Sequence, residues 1–256
     1  MSLNKAKDSA LPTTAVDTAF LVTPEEYIVE IHEIGVSKTN PITGANNGAK
    51  VWDKTNNKTL WKGNSPLVID VAPGKKMAND LVMSQPPLGK YNYNYVLLKK
   101  SIKLKITGEF QGGEKFYSKN NGKSTPQDNN TDYAQFTENI VNFNFNAEAW
   151  DTDGGVVTAG SSSYFKDTDN SVEGLLLISD KLTKSNSNAN TEYILAVYDC
   201  TSNPLSINDV RFGGGGFKIA FSSSNGAQIS SAGWNDLTTN PIQFNSLPPK
   251  YVTSSK

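Results

Sequence analysis

Apolar and polar side chains alternate along most of this sequence, and this period of two constrains the fold more than any other feature. Between residues 101 and 106, for example, large aliphatic residues alternate with Lys103 and Lys105. Antiparallel sheets commonly bury one face and solvate the other, so the alternation predicts an all-β chain built as an antiparallel sandwich. The other segments with this character are residues 26–36, 67–71, 91–98, 141–145, 175–178, 193–198 and 217–221.

A polar, turn-rich segment interrupts the strand pattern in the middle of the chain, where glycine, asparagine and proline are concentrated. We therefore expect two sandwich-like modules, and the alternative is one large sandwich or jelly roll. The expected divisions are a flexible lead-in at 1–22, an N-terminal β-sandwich at 23–110, a polar connection at 111–132 and a C-terminal β-sandwich at 133–256.

Charge and cysteine content exclude several classes of protein. The formal net charge is −1 and Arg211 is the only arginine, so we expect no nucleic-acid partner. Cys200 is the only cysteine, which rules out an intrachain disulfide. No stretch approaches the roughly 20 apolar residues of a membrane-spanning helix. The polar start at Met1–Thr18 is typical of a chain that follows a removed signal or anchor, and we expect an extracellular, cell-surface or periplasmic location.

Catalytic patterns are weak throughout the sequence. His32 is the only histidine, which excludes sites that need two of them and leaves one imidazole for any Ser-His-Asp arrangement. The run Gly213–Gly216 lacks the Gly-Lys-Ser/Thr ending of a phosphate-binding loop and reads as a turn or bulge beside a strand. We therefore expect a protein that is not an enzyme.

Two acidic loops are the candidate metal site. Asp151 and Asp153 form one Asp-x-Asp pair, Asp167 and Asp169 form another, and Glu173 follows the second loop. Alternate carboxylates in a turn can converge on Ca²⁺, although the spacing does not complete an EF-hand loop. Such residues also build ordinary turns, so the sequence predicts no cofactor, with Ca²⁺ as the alternative.

Three tyrosines are the candidate ligand-binding residues. Tyr91, Tyr93 and Tyr95 alternate with two asparagines, which would place the three rings on one face of a strand. Exposed aromatic faces can stack against sugar rings, and the other reading is that these rings fill the core.

The stretch Pro87–Tyr91 precedes a strand, and the strand at Tyr27–Ile31 opens the folded part of the chain. In these features the first 110 residues resemble exported bacterial β-sandwich proteins without an assigned activity. The resemblance implies an envelope or extracellular location. We expect a structural, adhesive or interaction module with a cell-surface protein or glycan partner. The alternative is a module that binds carbohydrate or another extracellular ligand, with or without calcium.

Overall fold

The structure is a computed structural model that describes residues 19–44, 50–73, 75, 83–125, 130–141, 163–167, 171–207, 218–247 and 249–254. Its regular structure is almost entirely β-strand, with two short 3₁₀ turns in the described part at Asn130–Asp132 and Asn188–Asn190. In chain order the strands are β1 (Phe20–Val22), β2 (Glu26–Ser37), β3 (Ile42–Thr43), β4 (Val51–Trp52), β5 (Asn57–Asp70), β6 (Gly89–Tyr91), β7 (Tyr93–Lys99), β8 (Ser101–Lys105), β9 (Thr107–Glu109), β10 (Lys115–Tyr117), β11 (Lys123–Ser124), β12 (Phe136–Asn139), β13 (Tyr164–Asp167), β14 (Val172–Leu177), β15 (Tyr193–Asp199), β16 (Leu205–Ile207), β17 (Lys218–Ser222), β18 (Ala227–Ser230), β19 (Ile242–Ser246) and β20 (Lys250–Ser254).

An eight-stranded antiparallel sheet dominates the fold, and strand β2 is its organising member. Strands β7 and β8 follow one another along one side of β2, and β5 pairs along the other side. Beyond β7 the order continues through β15 and β14 to β13, while β12 pairs with β8. A second sheet has the order β1-β18-β19-β11. The expected all-β, antiparallel sandwich is therefore confirmed.

The main core lies between these two sheets. Tyr27 and Ile31 of β2 belong to the same buried cluster as Ile229 of β18 and Phe244 of β19. Aromatic rings meet edge to face in this layer, which is a favourable geometry for them. The pairs are Phe20 with Phe110 at 5.5 Å, Phe20 with Trp234 at 5.4 Å and Phe110 with Trp234 at 5.7 Å between centroids.

The opposite face of the large sheet, called here the second face, carries its own apolar cluster. Leu97, Leu195 and Leu175 lie side by side on β7, β15 and β14. The β3–β4 hairpin covers this cluster with Ile42 and Trp52, both of which are buried. The central strands are therefore apolar on both sides, as expected of strands that are covered on both faces.

A β-bulge at His32 explains how a glutamate enters this second face. The register of β2 shifts between Ile31 and Glu33 against both neighbouring strands, so His32 is an extra residue opposite β7. The extra residue reverses the alternation of side chains between the two faces. As a result, Ile31 and Ile34, which are three positions apart, both belong to the main core. Glu33 consequently points to the second face and is 3% exposed.

Among the described strands, β5 pairs only with β2, so it forms an edge of the large sheet, and its ladder has built-in interruptions. Between Lys62 and Leu67 its register against β2 shifts, so the four residues from Gly63 to Pro66 leave the ladder. Proline cannot donate to a neighbouring strand, and lysines such as Lys58 and Lys62 oppose the approach of another sheet edge. This edge is therefore protected against unselective strand pairing.

The expected division at residues 111–132 does not separate two sheets. The large sheet contains β2, β5, β7 and β8 from before this segment and β12 to β15 from after it. The segment itself contributes β10, which pairs with β9, and β11, which pairs with β19 of the second sheet. The strand β1, within the expected lead-in, pairs with β18. Long-range strand pairing thus joins the two halves of the sequence.

Gly35 provides a test of the packing on the second face. A Cβ atom at this position would lie 2.2 Å from the fully buried ring of Tyr95 across the strand pair. We expect Gly35→Ala to lower the free energy of unfolding by about 1–3 kcal/mol, measured by chemical denaturation. In a Tyr95→Ala background the same change should be neutral or stabilising, because the ring is gone and alanine suits a strand better than glycine. An equal cost in both backgrounds would show that the ring contact is not the cause.

Candidate functional site

The three tyrosines predicted to bind a ligand lie in two strands and in different surroundings. Tyr91 ends β6 and is fully buried in a small cluster with Leu60, and its hydroxyl donates to the Pro87 carbonyl at 2.7 Å. Tyr93 and Tyr95 belong to β7 and face the second face of the sheet. Tyr95 is fully buried and Tyr93 is half-buried. Of the three rings, Tyr93 is the one that a ligand can reach.

Tyr95 instead holds the first of two buried carboxylates on the second face. Its hydroxyl donates to Glu33 Oε1 at 2.9 Å, and the Thr59 hydroxyl donates to the same oxygen at 3.1 Å. Lys62 Nζ lies 3.5 Å from Glu33 Oε2 and supplies a positive charge from the exposed side. Burial, followed by the charge of Glu33, raises the pKa of the Tyr95 hydroxyl well above its ordinary value.

Glu173 is the second buried carboxylate and has a similar arrangement. The Tyr164 hydroxyl donates to Oε2 at 2.9 Å. The other oxygen, Oε1, accepts a hydrogen bond from Asn40 Nδ2 at 2.9 Å and lies 3.1 Å from Lys166 Nζ. Burial, together with the adjacent Glu173 charge, raises the pKa of Tyr164. The carboxylate is therefore surrounded by three donors, two from strand β13 and one from the distant Asn40.

The local structure explains why these donors converge. Lys166 lies directly opposite Glu173 in the β13–β14 pair, so the strand register sets their contact. Asn40 lies in the short connection between β2 and β3, where its Oδ1 accepts the Ile42 backbone N–H at 2.8 Å. Because a backbone N–H can only donate, this bond fixes which end of the amide faces Glu173.

A cleft of about 240 Å³ opens beside Glu173 at this end of the second face. Its walls include the half-buried Tyr93 and the exposed Asp199, which are opposite each other in the β7–β15 pair. Lys166 and Glu173 form another part of the wall. Burial raises the pKa of Tyr93, and the negative charges of Asp199 and Glu173 add to this effect. The structure thus brings together two residues that the sequence predicted separately, Tyr93 and Glu173.

Of the predicted calcium ligands, Glu173 is the one whose side chain the structure describes. Asp151, Asp153 and Asp169 lie outside the described residues, and Asp167 is the last residue of β13, with its side chain outside them. Across the part of the chain that is described, no three histidine, cysteine, aspartate or glutamate side chains form a group that could hold a metal ion. At Glu173 the neighbouring positive charge comes from Lys166. A calcium site at the acidic loops stays a prediction.

Cys200 is a buried thiol just after β15. The Asn94 side-chain amide donates to its sulfur at 2.9 Å, and burial raises the pKa of the thiol. A raised pKa disfavours the thiolate, which is the reactive form of cysteine. The environment of Cys200 is therefore that of a structural residue.

No protein-family model, curated protein or solved structure matches this chain. None of the helical segments in the described ranges has the length and apolar character needed to cross a membrane.

Sequence reasoning identified Glu173 but missed its partners Asn40, Tyr164 and Lys166. Asn40 is 133 positions away from Glu173 along the chain, and it lies in a turn-like segment that resembles many others. Lys166 and Tyr164 precede Glu173 by a few residues. Pairing 164–167 with 172–175 as antiparallel strands would have placed Lys166 opposite Glu173 and Tyr164 two positions away on the same strand. No sequence signal would have added Asn40.

His32 gives this face a predicted pH dependence. Its ring meets Tyr193 edge to face at 5.0 Å between centroids. Burial, and then the positive charges of Lys181 and Lys99, lower the pKa of the imidazole below its ordinary value of 6.5, while Glu30 opposes this shift. As the pH falls through 6.5, His32 therefore binds a proton in the unfolded chain before it does so in the folded chain. The free energy of unfolding should fall as the pH falls through this range.

We expect His32→Gln to remove this contribution. Between about pH 7.5 and about pH 5, the free energy of unfolding of the parent chain should decline more steeply than that of the variant, as measured by urea denaturation at each pH. Other titrating groups are common to both proteins and cancel in the comparison. Parallel curves would mean that the folded state does not lower the pKa of His32.

Proposed function

We propose that this chain is a structural or adhesive module of an exported or cell-surface bacterial protein, which works through contact with a partner. The observation that carries the proposal is the construction of the second face. Two carboxylates, Glu33 and Glu173, are buried there, and each accepts a hydrogen bond from a tyrosine hydroxyl at 2.9 Å.

This construction favours a rigid scaffold. Removing one partner from a buried charge is strongly destabilising, because the remaining charge is left without compensation. Satisfied polar networks of this kind hold strands in one arrangement and rigidify a core. A module that bears load or presents a surface needs such rigidity.

The protected edge of the large sheet supports the same role. Strand β5 combines an interrupted ladder, Pro66 and exposed lysines, which together oppose pairing with the sheet of a neighbouring molecule. Modules that are crowded on a surface need this protection, because unselective edge pairing leads to aggregation. Contact with a partner would then use loops or sheet faces.

The proposed location is tested by protease shaving of intact cells of the native organism, followed by identification of the released peptides. We expect peptides from this chain to be released before the cells lyse, together with those of known surface proteins. A cytoplasmic enzyme serves as the lysis control. Recovery of the chain together with that enzyme, and only after lysis, would overturn the proposal.

A second candidate function, carbohydrate binding, is favoured by the Tyr93 cleft. A half-buried tyrosine ring offers an apolar face for a sugar ring, and Asp199 and Lys166 offer an acceptor and a donor for its hydroxyls. The volume of about 240 Å³ is slightly below the ~300–1,000 Å³ range of drug-sized pockets. It suits a single sugar unit better than a long oligosaccharide.

A glycan array with Tyr93→Ala tests this candidate. We expect the parent chain to bind a subset of glycans and the variant to bind them about tenfold more weakly or worse, because it loses the stacking surface. Tyr193→Ala is the matched control, since Tyr193 is also half-buried on the second face and does not line the cleft. Blank wells for the parent chain, or equal losses in both variants, would contradict the proposal. Repeating the array with EDTA tests whether glycan binding depends on calcium, in which case EDTA should abolish it.

A further inference from the structure

Two side chains that can react with each other are held on one oxygen of Glu173. Oε1 lies 3.1 Å from the amine nitrogen of Lys166 and 2.9 Å from the amide nitrogen of Asn40. The other oxygen, Oε2, is occupied by the Tyr164 hydroxyl. Glu173 is thus placed to take a proton from one nitrogen and deliver it to the other.

We propose that Lys166 and Asn40 condense to form an intramolecular isopeptide bond, with Glu173 as the catalytic residue. The reaction is acyl transfer. The Lys166 amine attacks the side-chain amide carbon of Asn40, and the amide nitrogen of Asn40 leaves as ammonia. No oxidant, cofactor or second protein is required.

The first step is the activation of the amine. An ammonium group is not a nucleophile, and Glu173 Oε1 is the base within hydrogen-bond distance of Lys166 Nζ. The Glu173 side chain is 10% exposed, so the proton transfer takes place at a largely buried carboxylate. Moving a proton from Nζ to Oε1 replaces two charges by a neutral amine and a neutral carboxyl group.

The second step is attack on the Asn40 side-chain carbon. The new bond joins Nζ to Cγ, and the electron pair of the carbonyl moves onto Oδ1. The Ile42 backbone N–H already donates to Oδ1 at 2.8 Å, so a fixed donor is present where negative charge develops. Preorganised backbone donors of this kind are the usual stabilisers of acyl-transfer intermediates.

The third step releases the leaving group. Glu173 passes its proton to Nδ2, which is already within hydrogen-bond distance, and the Cγ–Nδ2 bond breaks as the Oδ1 carbonyl re-forms. The new amide nitrogen then passes its excess proton, through Glu173, to the released ammonia. Overall an ammonium ion departs, the lysine and asparagine become one secondary amide, and Glu173 ends as the carboxylate it was at the start.

The cleft beside Glu173 offers an exit for the ammonia. Lys166 and Glu173 both line it, and the Lys166 side chain is 45% exposed. Both reacting groups are held in place by the fold, Lys166 by the strand register and Asn40 by its bond to Ile42. Because folding has already brought the two groups together, the reaction does not have to pay the entropy loss of an encounter between separate reactants.

The bond would join the connection between β2 and β3 to the edge strand β13. In the described part of the chain, β13 pairs only with β14, so it is held to the sheet on one side. A covalent link between residues so far apart in sequence restricts the unfolded chain, which raises stability by loop closure. The inference extends the proposed structural role but does not depend on it.

The test is the mass of the purified full-length chain and the map of its tryptic peptides. We expect the intact mass to fall short of the sequence mass by one ammonia. Trypsin cleaves after Lys38 and Lys50, which normally frees the peptide 39–50. With the bond formed, this peptide should appear joined to one that spans Lys166 and is uncut there.

Variants separate the three roles. Lys166→Arg removes the amine, Asn40→Ala removes the amide, and Glu173→Gln keeps both reactants but removes the proton carrier. Each should show the full mass expected for its own sequence. Lys50→Arg is the matched control, because Lys50 lies 4.9 Å from the Tyr164 ring in the same region, and this variant should keep the mass loss.

The linked peptide distinguishes the bond from other losses of ammonia. A succinimide at Asn47-Gly48 would also remove one ammonia, but it would leave the peptide 39–50 free. Full mass for the parent chain, or recovery of 39–50 in free form, would overturn the inference even if every variant failed to fold. Protease shaving tests the location of the protein, whereas the mass and the peptide map test the bond. The two proposals can therefore fail separately.

Discussion

The pairing of strand β2 on both sides is the constraint on which the rest of the fold depends. One side of β2 carries β5, and the other carries β7 and β8 in succession, which anchors the large sheet along 12 residues. The bulge at His32 changes which face each side chain meets. Without it, regular alternation would point Glu33 to the same side as Ile31, into the main core.

The placement of Glu33 on the second face follows from that change of register. Its centre is made of leucines, and its polar groups sit around them as buried pairs of glutamate and tyrosine. Burial of a carboxylate is costly unless hydrogen bonds and a positive charge compensate for it. Glu33 accepts hydrogen bonds from Tyr95 and Thr59 and lies near the positive charge of Lys62. Glu173 likewise has two hydrogen-bond donors and one lysine beside it. The β3–β4 hairpin covers the apolar centre of this layer with Ile42 and Trp52.

One end of this face combines features that suit different functions. The contacts around Glu173 suit the proposed rigid scaffold, the adjacent Tyr93 ring suits the proposed sugar stacking, and the approach of Lys166 and Asn40 to one oxygen suits the proposed cross-link. Scaffold and cross-link are compatible, because a cross-link strengthens a scaffold. Sugar binding would use the same cleft. The Lys166 amine could then either donate a hydrogen bond to a sugar hydroxyl or be part of the cross-link amide, but not both.

The sequence alone determined the class of fold and several of the strands, because alternation is a local property of neighbouring residues. Strands β2, β8 and β15 lie where the alternation of residues 26–36, 101–106 and 193–198 predicted them. It also identified Glu173 and Tyr93 as residues of interest. Only the tertiary structure decided that Tyr91 and Tyr95 are buried, that strands from both halves share one sheet, and that Asn40 reaches Glu173. These outcomes depend on which distant strands pair and in what register, and a bulge of one residue reverses every face beyond it.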